Sequence, residues 1–294
     1  MSKISLETFV SILLALTIII ACGDDSISDA MEVISEDSLK ANYPIKASQL
    51  PEQTCSYSRD SSWVAYYTLP AERYGHGILG DRIEAGGLTL IHLTPSDTSV
   101  YNLKLSENYV FEDITPRLID VDGDGIPEVV CIRSEVSNGA GLVIYKLKQS
   151  ELIEYAWVPE IGTSNRWLNP VSIIDLYQNG TLDLLWIQTP HIGGVLKVAS
   201  IKQGEMLIND SYSGVSNHAI GSRNQCLSAV LEKDGKLQIA VPNQSRNKVY
   251  YFSYDGSSLT KTSETEQAID FDVPLYDQLE GMVFINDNNC LMEF

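Results

Sequence analysis

Ile119-Asp120-Val121-Asp122-Gly123-Asp124-Gly125-Ile126-Pro127-Glu128 decides how the chain is read, because the pattern recurs. Two stretches align beneath it without gaps: Ile174-Asp175-Leu176-Tyr177-Gln178-Asn179-Gly180-Thr181-Leu182-Asp183 and Ala229-Val230-Leu231-Glu232-Lys233-Asp234-Gly235-Lys236-Leu237-Gln238. Gly125, Gly180 and Gly235 are therefore spaced by 55 residues both times. An apolar run follows each loop, at Val129–Ile132, Leu182–Ile187 and Leu237–Val241. A second run comes at Leu142–Leu147, Val195–Ile201 and Lys248–Phe252, and a weaker third near Leu152, Met206 and Leu259. Short runs rich in β-branched and aromatic residues, bounded by Gly, Asn and Ser, are strand signals. With Leu118, Val171–Ile174 and Leu227–Leu231 before the loops, the pattern predicts four short strands per repeat. Past the first 22 residues no helical periodicity is visible.

Four strands in a repeat of this length are the mark of a β-propeller blade. Extending the register predicts one more blade at Gly77–Glu112, with strands at Leu88–Leu93 and Ser99–Leu105. Another is expected around Ile269–Phe294, where Met282–Ile285 and Leu291–Phe294 offer too few strands to complete it. The run Trp63–Leu69 is expected to supply the missing strand from the other end of the chain, leaving no open sheet edge. The expected fold is all-β, a propeller of about five four-stranded antiparallel blades over residues 57–294, with six as the alternative count.

The first loop places carboxylates at positions 1, 3, 5 and 9 and glycine at position 6. Ca²⁺ takes six to eight oxygen ligands, and alternate residues of a tight loop can turn theirs inward. Four acids within nine residues repel one another unless a cation sits among them. An EF-hand would need flanking helices and Glu at position 12, where this chain has Cys131 within a strand-like run. The loop instead resembles the calcium loop of FG-GAP/VCBS repeats, the blades of integrin-alpha-like propellers. The expected cofactor is Ca²⁺, held by Asp120, Asp122, Asp124, the Ile126 carbonyl and Glu128. The second loop keeps Asp175, Asn179 and Asp183 but has Tyr177 at position 3, and the third reads as a plain turn.

Residues 1–21 contain a short apolar run, Phe9–Ile20, below the ~20 residues a spanning helix needs. They read as a secretory signal, and Ile19-Ile20-Ala21-Cys22 resembles a bacterial lipobox. That resemblance implies lipidation of Cys22 and a place in the cell envelope. The expected site is the outer membrane, facing periplasm or cell surface. Residues 22–56 follow as an acidic tether and lead-in, with six acids between Asp24 and Ser38. Cys55, Cys131, Cys226 and Cys290 remain, enough for two disulfides in three connectivities. Cys131 lies in an apolar run and is expected as a buried thiol, and Cys55–Cys290 is the pairing that would staple the two ends.

The chain has 20 Lys+Arg against 39 Asp+Glu, a formal charge of −19. That balance argues against nucleic acid, which needs a basic footprint, and against electrostatic attachment to anionic lipid. In a four-strand meander the acidic loops share one end. The opposite end then gathers the segments carrying Arg73, His76, Asn165, Arg166, Trp167, His191, His218 and Arg223. These eight are the candidate ligand-binding residues. They imply a locally positive pocket suited to a small anionic or hydroxyl-rich ligand on a glycan, peptide or envelope protein. No G-x-S-x-G or H-E-x-x-H occurs, and Gly75–Gly80 matches G-x-G-x-x-G without the helix a dinucleotide needs. No paired carboxylate falls among those loops, so a binding module is favoured, with a hydrolase or lyase as the alternative.

Overall fold

The computed structural model describes residues 50–51, 54–279 and 282–284. They belong to the second of two units, Ile45–Phe294, the first being Met1–Pro44. The segment expected as a signal, Cys22, most of the expected tether, Cys290 and Leu291–Phe294 lie outside the described residues.

Antiparallel strands dominate, and the sole described helix is the single turn Leu275–Gln278. The first meander runs β1 (Ser56–Tyr57), β2 (Trp63–Ala71), β3 (Glu84–Leu93), β4 (Thr98–Lys104). After a short bridging strand β5 (Tyr109–Phe111), the second runs β6 (Arg117–Ile119), β7 (Glu128–Glu135), β8 (Gly139–Lys148), β9 (Glu151–Val158). Strand β5 pairs with both β3 and β7, which joins the two meanders into one nine-stranded sheet. The third meander is β10 (Leu168–Ile174), β11 (Asp183–Gln188), β12 (Val195–Lys202), β13 (Glu205–Ser213). The fourth is β14 (Ala229–Lys233), β15 (Lys236–Pro242), β16 (Lys248–Tyr254), β17 (Leu259–Glu266), with β18 (Val283–Phe284) added on the β14 edge.

Successive meanders pack face to face, and this explains the unbroken apolar runs. A strand with only one buried face alternates, whereas one covered on both faces does not. In β7, Val129 and Cys131 pack with Ala65, Leu88 and Leu90 of the first meander, while Val130 and Ile132 pack with Leu184 and Trp186 of the third. Leu185 and Ile187 of β11 turn the other way, onto Ile239, Val241 and Phe252 of the fourth. The outermost strands do alternate, β9 most clearly, because one face meets water. Register shifts recur between the last two strands of the later meanders, at Ile144/Tyr145, Val198/Ala199 and Tyr251/Phe252. Such bulges twist an edge and discourage pairing with another chain. The repeated glycines sit at φ +85, +82 and +73, a left-handed conformation that excludes most side chains.

Sequence and structure thus agree on an all-β, antiparallel architecture of four-stranded repeats. The sheets do not close among the described residues. Two expectations are corrected. Trp63–Ala71 pairs with β1 on one edge and β3 on the other, so neither edge is left to complete a sheet at the C-terminal end. Cys55 is a thiol whose Sγ donates to Tyr57 Oη at 3.5 Å, so it does not staple the ends, and the disulfide-bonded cysteine is Cys226. Cys131 is the buried thiol expected.

The buried ion pair Asp113–Arg117, at 2.6 Å, draws in three of the meanders. Asp113→Asn keeps the side-chain shape but leaves Arg117 buried without a counter-ion. Urea unfolding should show a loss of about 3–5 kcal/mol. Glu264→Gln, which disrupts exposed pairs with Lys248 and Lys261, should barely move the midpoint.

Candidate functional site

Four segments meet at one end of the sheets: the β2–β3 loop, the β9–β10 link, the β11–β12 loop and the β13–β14 link. They enclose a cavity of about 210 Å³ lined by His76, Ile78, Asn165, Arg166, Trp167, Thr189, His191, Ile192 and Ile220. Backbone contacts tie the segments together. The Asn165 N–H donates to Tyr74 Oη at 2.8 Å, with Asn165 at φ +56, a conformation asparagine tolerates better than most residues. The Gly221 N–H donates to the Ile78 carbonyl at 2.8 Å.

Trp167 forms the floor. It is 2 % exposed, and its indole Nε1–H donates to the Glu112 carbonyl at 2.9 Å. The His191 ring stacks on it with centroids 6.1 Å apart, and His218 lies behind at 4.6 Å. His218 Nε2 faces the Ser222 carbonyl at 2.9 Å, and a carbonyl only accepts, so Nε2 carries the proton. Burial pushes His218 down to about 3 and His191 down to about 4, so both rings are neutral near pH 7. His218 Nδ1 is then an acceptor, His191 Nε2–H donates to it at 2.9 Å, and His191 Nδ1 carries the free lone pair.

His76 Nδ1 stands 2.6 Å from Glu112 Oε1, and Ser134 Oγ–H donates to the other carboxyl oxygen. Glu112 is fully buried, and burial raises its pKa against the pull of the His76 hydrogen bond. Arg166 is half-buried, and the hydrogen bond its guanidinium makes is to the Asn165 carbonyl at 3.1 Å.

The structure therefore brings His76, Asn165, Arg166, Trp167 and His191 to one cavity, with His218 as backing. Arg73 and Arg223 do not line it. Arg73 donates to the Tyr109 carbonyl, from Nε at 2.9 Å, and Arg223 pairs with Asp81 at 2.5 Å. The expected positive character shrinks accordingly, because two arginines are engaged elsewhere and two histidines are neutral. Sequence reasoning missed Glu112, which follows β5 with nothing local to mark it, so a buried carboxylate does stand at this end of the sheets. It also passed over Ile192 and Ile220, although exposed isoleucines in glycine-containing loops are a readable signal.

At the opposite end, the Asp120, Asp122 and Asp124 carboxylate oxygens lie within 4.8 Å of one another. Asp120 shapes the turn by accepting the N–H groups of Gly123, Asp124 and Gly125 at 2.8–3.1 Å. Glu128 accepts the Val121 N–H at 2.7 Å through Oε2, and its buried Oε1 faces the Lys146 ammonium. Lys146 reaches into the same cluster, contacting Asp122, with Asp124 at 2.7 Å and Glu128 at 3.4 Å. The second loop copies the turn, with Asn179 and Gly180 N–H groups on Asp175 at 2.8 and 2.6 Å, but Tyr177 replaces the second carboxylate and lays its ring against Gly256. The third is a tight hairpin joined by Lys233 opposite Lys236.

No protein-family model matches the chain, and no curated protein matches it. Among solved structures it is similar to Sqt1 of Saccharomyces cerevisiae, with a TM-score of 0.40, 9 % identity, and coverage of 73 % of this chain and 48 % of that one. It is also similar to the exotype rhamnogalacturonan lyase YesX, with a TM-score of 0.38, 11 % identity, and coverage of 75 % and 50 %. The chain thus spans about half the length of each.

Proposed function

We propose that this chain is a lipid-anchored binding module of the bacterial cell envelope, built as a calcium-stabilised β-propeller. The observation that carries the binding role is the convergence of His76, Asn165, Arg166, Trp167 and His191, from three separate segments, on one cavity. Polar and aromatic residues from loops on a rigid scaffold are the common form of a small-molecule site. Its ligand is a small molecule, free or displayed on a glycan, peptide or envelope protein. Two contacts support the propeller reading. Gly221 bonds Ile78, and Gln225 donates to Asp113 at 3.1 Å, which links the approach to the fourth meander with the first two. Four meanders are described, and with Trp63–Ala71 already in the first, a fifth blade needs strands from outside the described residues.

One observation favours an enzyme as the second reading. Glu112 holds His76 by Nδ1 at the cavity wall, the arrangement that orients a general base. On that reading His76→Gln abolishes turnover of a bound ligand and leaves its binding intact.

The donor set at the acidic loop suits a hard divalent ion: three aspartates within reach of one another and a buried glutamate oxygen, Glu128 Oε1, whose partner is the Lys146 ammonium at 3.4 Å. Asp120, Asp122, Asp124, Glu128 and the Ile126 carbonyl would hold Ca²⁺, with Lys146 as the rival cation. The ion would stiffen the turn between β6 and β7.

Three experiments test these readings. A fragment screen by ligand-observed NMR should yield binders lost in the Ile192→Asp/Ile220→Asp variant, provided that variant melts like the parent. A screen without any such binder ends the binding role. A chelator should lower the melting temperature, by about 2.7 kcal/mol of stability if calcium had stood at a hundredfold excess over Kd. Asp122→Ala should remove that difference, and identical melts with and without chelator would reject the ion. Cys22→Ser should move the protein from the membrane to the soluble fraction, whereas continued sedimentation with membranes would point to another anchor.

A further inference from the structure

The walls of the cavity sort into two kinds. One is apolar: Ile78, Ile192 and Ile220, with the flat His191 ring lying on Trp167. Ile192 and Ile220 are 61 % and 72 % exposed, so apolar surface rims the opening without cover from the described chain. The other kind is Arg166, whose guanidinium makes no ion pair with a carboxylate among the described residues although the chain carries 39 acids. A planar guanidinium left unpaired beside a cavity is matched by one carboxylate, which it can grip with two parallel hydrogen bonds.

We propose that the cavity binds a small monocarboxylate with an apolar body, its carboxylate on Arg166 and its body between His191, Ile192 and Ile220. This rests on the reading of the cavity as a binding site. A single cation lines the cavity once the engaged Arg73 and Arg223 are set aside, since burial keeps His191 and His218 neutral. His76 faces the buried Glu112 carboxyl at 2.6 Å, a partner of opposite sign within the protein. A hydroxyl-rich sugar would place polar groups against isoleucine without partners, which costs free energy. A polyanion would face the field of a chain at −19. At about 210 Å³ the space is below the range of drug-sized sites, which favours a molecule of one ring or one branched chain. The same chemistry is offered by a free acid and by the apolar C-terminal residue of a peptide.

Calorimetric titration of the full-length protein at neutral pH tests the proposal with 3-phenylpropionate, 3-phenylpropanamide, glucuronate, and a short peptide ending in Phe with free or amidated terminus. The acid should bind about tenfold or more tightly than the amide and than glucuronate. Arg166→Gln should erase the preference for acid over amide, while Ile220→Asp should weaken both. Tighter binding of the free-terminus peptide than of 3-phenylpropionate identifies a chain terminus as the source, and the reverse order identifies a free acid. Equal affinity of acid and amide, or an acid affinity unchanged by Arg166→Gln, overturns the proposal. Glucuronate binding that is stronger than 3-phenylpropionate and lost in Ile192→Asp overturns the ligand class and keeps the site. Failure of every probe overturns it too. If the fragment screen also finds no cavity binder, the binding role falls with it.

Discussion

A single buried carboxylate, Asp113, holds the meanders in their mutual arrangement. It accepts from Tyr67 Oη on β2 at 2.8 Å, from both Arg117 nitrogens on β6, and from the Ile132 N–H on β7 at 3.1 Å. Gln225, on the link into the fourth meander, donates to it as well, and the Gln225 carbonyl takes Asn169 Nδ2 of β10 at 2.8 Å. Burying a charge is costly unless it is paired and its lone pairs are filled, and here both conditions are met. Apolar packing between sheets is non-directional and tolerates sliding. The hydrogen bonds to Asp113 do not, so they set how each sheet sits on the next.

The candidate site depends on the same segment. Glu112, one residue earlier, holds Trp167 through its carbonyl and His76 through its carboxylate. The cavity floor and one wall are thus positioned by the residue adjoining the hub, which couples the geometry of the site to the packing of the sheets. The two residues directly after β5 send their carboxylates to different partners, Glu112 to His76 and Asp113 to Arg117.

Charge is distributed by the same logic. Acidic residues dominate the exterior, and many of the few cations are committed to them: Lys146 in the acidic loop, Lys248 and Lys261 on Glu264, Arg117 on Asp113. Arg166 stands apart from this pattern. It makes no ion pair with a carboxylate among the described residues, whereas Arg73 faces Glu107 and Arg223 pairs with Asp81.

Much of this was legible in the residue order. Strand positions, the 55-residue repeat and the left-handed glycines follow from local sterics and from side-chain periodicity, which act over a few residues. The convergence of the loops bearing His76, Asn165, Arg166, Trp167 and His191 was also readable, because alternate loops of a meander must emerge at the same end. Tertiary structure alone decided the rest. The pairing of β18 with β14, the thiol state of Cys55, the loss of Arg73 and Arg223 to Tyr109 and Asp81, and the burial of Glu112 beneath His76 join residues far apart in the chain. Periodicity carries no information about such contacts, since they are set by which sheet faces which. The neutrality of His191 and His218 belongs with them, because desolvation exists only once the neighbouring loops have closed over the rings.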